Sequence, residues 1–280
     1  MILTGKYGNP FLVLSGALES EDVCRVTSST VVVVADLTLT RHSKPWMVQQ
    51  HAHFWREHQK VASLLEAAYS FVGACAHSLR ALALPPALEG VDIVFHNGPG
   101  FHALETAMGI ALIDAAKKAG VKHFVYCSVL FPVLTKLLNH KAKFFVEEHL
   151  IESGLNYTIL EPTSFMQNVN LHNAVATGTL LANYTPNTLQ GYLDLEDLAA
   201  VARLVLLNPT EHNLARYELV GENCTYEDVA RAISAQTGQQ IKVELVPRDK
   251  IVGKSDVHMN LSGDYAREGM DRMLYYYDKR

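Results

Sequence analysis

The sequence predicts an α/β fold built on an open parallel sheet with crossover helices. Three observations predict it. Residues 91–168 alternate short β-rich apolar runs with longer helical patterns in the order strand, helix, strand, helix, strand. Each helical pattern stops at a glycine, and the next apolar run follows at once. Small or polar residues stand directly after the apolar runs, at Asn97-Gly98-Pro99-Gly100, Ser128 and Pro162-Thr163. Those are the positions from which an open parallel sheet holds a ligand beyond the carboxyl ends of its strands.

Val91 to Phe95, broken only by Asp92, reads as a buried strand ending at His96-Asn97. From Ala103 to Ala119, Leu104, Ala107, Met108, Ala111, Leu112 and Ala115 recur at three- and four-residue steps, which predicts an amphipathic helix. Lys117 and Lys118 oppose the negative end of its dipole, and Gly120 supplies the left-handed stop. Val121 to Ser128 is the second strand. A second helix over 135–153 places Leu138, Ala142, Phe145, Val146 and Leu150 on one stripe and stops at Gly154, and the third strand is Asn156 to Leu160.

Further on, Asn183 to Asn187 reads as a turn, and Tyr192 to Leu198 leads into a helix that Asp197 caps or pairs. Thr225-Tyr-Glu-Asp228 is a capping box that opens a helix running to Thr237-Gly238, and Ile241 to Val246 alternates as a strand.

The 280 residues are 49% hydrophobic with a formal net charge of −5, a balance that gives nucleic acid no basic surface to bind. Cys24, Cys75, Cys127 and Cys224 lack C-x-x-C spacing, so reduced thiols, no disulfide and no zinc site are expected. His51, His53 and His58 do not share a helix face, and no metal centre is expected from them. No leader precedes a cleavage site, and the apolar stretch from Val61 to Leu84 carries Glu66, His77 and Arg80. A soluble, cytoplasmic protein without a membrane partner is the expectation.

The segments GVDIVFHNGP, AAKKAGVKHFVYCSVL, NHKAKFFVEEHLIESGLNYTILEPTSFMQN and GYLDLEDLAAVA together resemble the NmrA-like family of atypical short-chain dehydrogenases, with a likeness to its members in fungal secondary metabolism. The likeness covers about residues 86 to 280. It implies a Rossmann-type doubly wound parallel sheet that binds NADP or NAD, NADP being preferred, over residues 1–168. A smaller, partly discontinuous α/β substrate subdomain is implied over 169–280, shortened where relatives run on past Tyr275-Tyr-Tyr. The implied activity is oxidation or reduction of a small organic substrate. The alternatives are a redox-sensing regulator that binds the cofactor and a protein partner without turnover, and a homologue whose cofactor site is defective.

The same resemblance marks the site. Relatives open with T-G-x-x-G-x-x-G, whose glycines admit the pyrophosphate. Gly5 and Gly8 match here, whereas Phe11 stands at the third glycine, and Asn9-Pro10 is expected to start the following helix. Phe11→Gly is therefore expected to tighten dinucleotide binding. Asp36-Leu37, after Val31-Val-Val-Val-Ala35, matches the pair that lies near the adenine, or is an ordinary strand end. Residues 39–84 read as a helical insertion. Asn97, Gly98 and Pro99 are placed against the cofactor ribose, Pro162 and Phe165 at the carboxamide and ring, and Ser128 at the carboxamide or a substrate carbonyl, or else as a strand-end cap. Lys143 occupies the place of the short-chain dehydrogenase lysine, while Asn139, four residues earlier, replaces the tyrosine that handles the proton. The resemblance makes Lys143 a ribose ligand and catalytic base; otherwise it is an exposed helix lysine. Lys143→Ala is expected to abolish turnover with little loss of folding.

Overall fold

The computed structural model describes residues 3–4, 10–13, 31–35, 88, 90–98, 100–251 and 263–279. In chain order the first half comprises β1 (Leu3–Thr4), β2 (Pro10–Val13), β3 (Val31–Ala35), β4 (Ile93–Asn97), α1 (Glu105–Ala119), β5 (His123–Cys127), α2 (Leu138–Glu152) and β6 (Tyr157–Pro162). The second half comprises β7 (Ser164–Phe165), α3 (Leu171–Thr177), β8 (Thr179–Ala182), β9 (Gln190–Leu193) and α4 (Leu195–Leu207). Then come β10 (Ala215–Leu219), β11 (Glu222–Cys224), α5 (Tyr226–Thr237), β12 (Lys242–Leu245) and α6 (Gly263–Asp278).

The main sheet has the order β1-β2-β3-β4-β5-β6-β10 and is parallel except for the β1–β2 pair. Helices cover both faces. Residues of α1 and α2 pack with Val94, Phe124, Tyr126 and Ile159, and residues of α4 pack with the alternate positions Ile93, Val125, Cys127 and Leu160. The predicted α/β class is what the chain adopts. Most of a second core, with Ala174, Leu180, Tyr184, Tyr226, Ile241 and Leu274, lies among α3, β8, α5, β12 and α6. Strand β10 follows α4 and takes the edge of the main sheet, where it pairs with β6.

Helix ends follow the sequence, and helix faces follow it only in part: Leu112, Ala115, Ala142, Val146 and Leu150 are buried as expected. Gly120, left-handed at φ 74°, ends α1 as expected, with Lys117 and Lys118 in the last turn. The buried face of α1, however, is Glu105, Gly109, Leu112, Ile113, Ala115 and Ala116, and Ala107 is exposed. A Cβ on Gly109 would lie 2.6 Å from a methyl of Val146, so close packing against α2 rotates the face away from the Leu104–Met108 stripe. On α2, Phe145 is exposed, while His140, Lys143 and Glu147 are buried beside Ala142, Val146 and Leu150. The Thr225–Asp228 capping box is present, but the cap of α4 is Asp194 rather than Asp197, its side chain accepting from the Glu196 N–H.

The opening departs from expectation. Pro10, expected at the start of a helix, begins β2, and Thr4 pairs with Pro10 at the amino end of that strand. Gly5, Gly8, Asp36, Leu37, Pro99 and residues 39–84 lie outside the described residues.

Candidate active site

Four strands present one row of residues on the α1/α2 face: His96, Tyr126, Ile159 and Arg216 stand side by side in register. The His96 ring stacks on the Tyr126 ring, with centroids 5.4 Å apart and planes within 14°. Above this row α2 presents His140, Lys143 and Glu147, three and four residues apart and therefore on one face. Strand and helix thus bring their polar side chains together near the carboxyl ends of β4, β5 and β6.

Lys143 forms an ion pair with Glu105 at 2.8 Å, and the two side chains are only 10% and 1% exposed. Its ammonium also lies 5.8 Å from the centre of the Tyr126 ring. Glu147 and Glu161 share Arg216. Its Nη2 donates to Glu147 Oε2 at 2.8 Å and to Glu161 Oε1 at 2.5 Å, and its Nε donates to Glu161 Oε1 at 2.9 Å. The acids are almost fully buried, whereas the arginine is 43% exposed and reaches solvent.

The Ser128 amide donates to the Leu160 carbonyl at 2.7 Å, which fixes the residue just past β5. Its hydroxyl is buried, faces Glu147 and favours the charged acid, without closing a hydrogen bond of good geometry. Burial pushes the Glu147 carboxyl up to about 7, against the pull of Ser128, Arg216 and Lys143 and with the push of Glu161. Burial likewise holds the Tyr126 hydroxyl well above its ordinary range, helped by Glu105 and Glu147. It also pushes the Cys127 thiol up to about 11, which Lys143 partly offsets. Cys127 is a free, buried thiol.

The loop after β5 is anchored on both sides. The Leu130 amide donates to the Pro162 carbonyl at 2.9 Å, and His140 Nδ1 lies 2.9 Å from the Phe131 carbonyl. Phe131 is left-handed at φ 56° with its side chain turned to solvent. From α6, the Tyr265 hydroxyl donates to the Leu138 carbonyl at 3.3 Å, and Arg272 to that of Lys136 at 3.4 Å. The C-terminal helix therefore closes over the start of α2.

Of the residues marked in the sequence, Lys143 and Ser128 meet around Tyr126 and Glu147. Asn97 and Gly98 end β4 beside His96 and Glu105. Pro162 ends β6, buried. Phe165 packs with the α4 side of the sheet, among Leu193 and Leu198, apart from the Lys143 cluster. Sequence reasoning missed Glu105, Glu147, Glu161 and Arg216. Glu147 had a signal, four residues after Lys143 within an apolar stripe; Arg216, in an alternating strand, had none.

The NmrA-like family model matches residues 74–279. The chain belongs to the NmrA-like family. It is 34% identical over 168 residues to the NAD(P)H azoreductase of Xenophilus azovorans, covering 57% of this chain and 56% of that one. Agroclavine dehydrogenase of Claviceps fusiformis is 28% identical over 210 residues, 72% of this chain and 65% of that one. The matches thus span little more than half to two thirds of these relatives. The triphenylmethane reductase of Citrobacter sp. complexed with NADP(H) has the same fold, with a TM-score of 0.61 at 17% identity over 90% of this chain and 82% of that one. Among the described residues, no helix is long and apolar enough to cross a membrane, and no group of three or more His, Cys, Asp or Glu side chains is placed to hold a metal ion.

Proposed function

We propose that this NmrA-like chain is a nicotinamide-dependent oxidoreductase that reduces or oxidises a small organic substrate, of the conjugated, secondary-metabolite kind, at the carboxyl ends of β4 to β6. The observation that carries the reading is Lys143, held by the buried Glu105 over Tyr126 near the end of β5. The names of the relatives agree with it, since they are an azoreductase, a dehydrogenase and a dye reductase. NADP is the preferred cofactor, as the dye-reductase neighbour is complexed with NADP(H).

The residues present fit the nicotinamide half of the cofactor. The Ser128 hydroxyl is buried and, apart from Glu147, faces no hydrogen-bond partner among the described residues, which suits it to a carboxamide or a substrate oxygen. At Gly98 a Cβ would stand 3.3 Å from His96 Nε2, so the missing side chain lets the His96 ring and Glu105 pack close against the turn after β4. Bound there, the nicotinamide supplies or accepts a hydride. Lys143 then orients the ribose hydroxyls, and Glu105 fixes the lysine so that no reorganisation is needed during reaction. Pro162 and the Leu130 amide hold the wall between β5 and β6.

Titration with NADPH, NADH and their oxidised forms, followed by nicotinamide fluorescence and thermal stabilisation, tests the reading. Saturable micromolar binding, with NADPH consumed in the presence of an azo, quinone or triphenylmethane acceptor, is expected. Binding of none of the four would remove the cofactor and the reading together.

A further inference from the structure

With Asn139 in the tyrosine position, the site lacks the usual proton donor. We infer that Glu147 is the proton reservoir of this site, passing a proton through the Ser128 hydroxyl to the substrate atom that turns basic at the carboxyl end of β5. The inference rests on the oxidoreductase reading given above.

Several independent observations meet at Glu147. Its Oε2 accepts from Arg216, while its Oε1 is buried without a hydrogen bond. Ser128 Oγ, buried and facing it, has no other hydrogen-bond partner among the described residues, and the buried Tyr126 hydroxyl close by has none. A carboxyl oxygen and a serine hydroxyl facing each other with unused hydrogen-bonding capacity form a donor–acceptor pair that a substrate atom completes. Charged and titratable groups surround the acid from every packed element. They are Lys143 on α2, Tyr126 on β5, Glu161 on β6 and Arg216 on β10, with Glu105 of α1 behind the lysine. Burial and Glu161 favour the neutral acid; Ser128, Arg216 and Lys143 favour the carboxylate. Both forms are therefore populated near neutrality, as a proton donor that must be refilled requires.

The step balances. As the hydride pair from a reduced dihydronicotinamide enters the substrate, the electron pair displaced onto its oxygen or nitrogen takes the Ser128 proton. The serine O–H breaks and re-forms with the proton of Glu147. The Glu147 carboxylate is left between Arg216 and Lys143, and it regains a proton from water on the exposed arginine side. Glu147 acts through Ser128 and touches no substrate itself.

Infrared titration of the full chain without cofactor reads the pair directly. A carboxylic-acid C=O band with a midpoint of about 7 is expected, absent in Glu147→Gln. In Ser128→Ala that midpoint rises, because the hydroxyl stabilises the charged form. A midpoint unmoved by Ser128→Ala, or no band lost in Glu147→Gln, overturns the inference. With NADPH and an acceptor, Glu147→Gln should lose about 100-fold in turnover and keep its NADPH affinity. The wild-type rate should fall as pH rises through about 7, and the variant's profile should be flat. A variant with the wild-type profile overturns proton delivery. If the wild type reduces no acceptor, the oxidoreductase reading falls and takes the delivery step with it, while the infrared titration still decides whether Ser128 and Glu147 are coupled.

Discussion

Lys143 was expected to be removable without harm to the fold, and its surroundings reverse that expectation. The side chain it neutralises, Glu105, is 1% exposed. Truncating one partner of a buried pair strands the other charge, at a cost of about 3 kcal/mol or more. Lys143→Ala should lose that much in urea unfolding; a loss under about 1 kcal/mol would show that Glu105 is compensated elsewhere. Phe131 has the opposite balance. Its left-handed backbone costs an L-residue about 1–2 kcal/mol, and its ring is 46% exposed, so little packing is lost with it. Phe131→Gly relieves that strain but loosens the unfolded chain by a similar amount, so it should leave Tm nearly unchanged. A fall would mean that the ring packs more tightly than its exposure implies.

The elements show what a pattern of residues can and cannot convey. Gly120 and the Thr225–Asp228 box were legible because capping is local chemistry. Which side of a helix faces inward was legible only in part, because the neighbour decides the rest. Gly109 lets α1 approach α2 closely, and α2 buries two charged residues that a hydrophobic stripe assigns to water. The first strands failed for a related reason, since a glycine pattern read from relatives does not report that Pro10 pairs with Thr4. Gly109→Ala should cost about 1–3 kcal/mol by driving a methyl into Val146. Thr225→Ala should cost about 1 kcal/mol. Guanidinium unfolding of the two variants checks both, and a neutral Gly109→Ala would mean that the helices part freely.

At the scale of the whole molecule, two buried groups titrate in opposition. Glu147 is raised from 4.5 to about 7, so its contribution is complete below 4.5 and is lost as pH rises through about 7. His123 is lowered from 6.5 to about 4 by burial and by the charge of His212, and its ring nitrogen lies 2.8 Å from Thr158 Oγ1. Its contribution is complete above 6.5 and is lost as pH falls through about 4. Each is worth roughly 3 kcal/mol, and over the shared window they cancel. Stability from pH 4.5 to 6.5 should be nearly flat in the wild type. It should rise with pH in Glu147→Gln and fall with pH in His123→Gln; parallel curves for all three would dissolve the opposition.

The pairing of β10 with β6 carries a consequence for how the chain reaches this state. Strands β4, β5 and β6 are each joined by a single helix, but β10 finds β6 only after the whole of residues 163–214 has been looped out. Contacts across long loops are the slow ones to form. Arg216 arrives on that strand, so Glu147 and Glu161 face each other without their cation until the sheet is complete. The two acids draw the arginine in, so Arg216→Gln should slow this last pairing, read as a slower refolding phase.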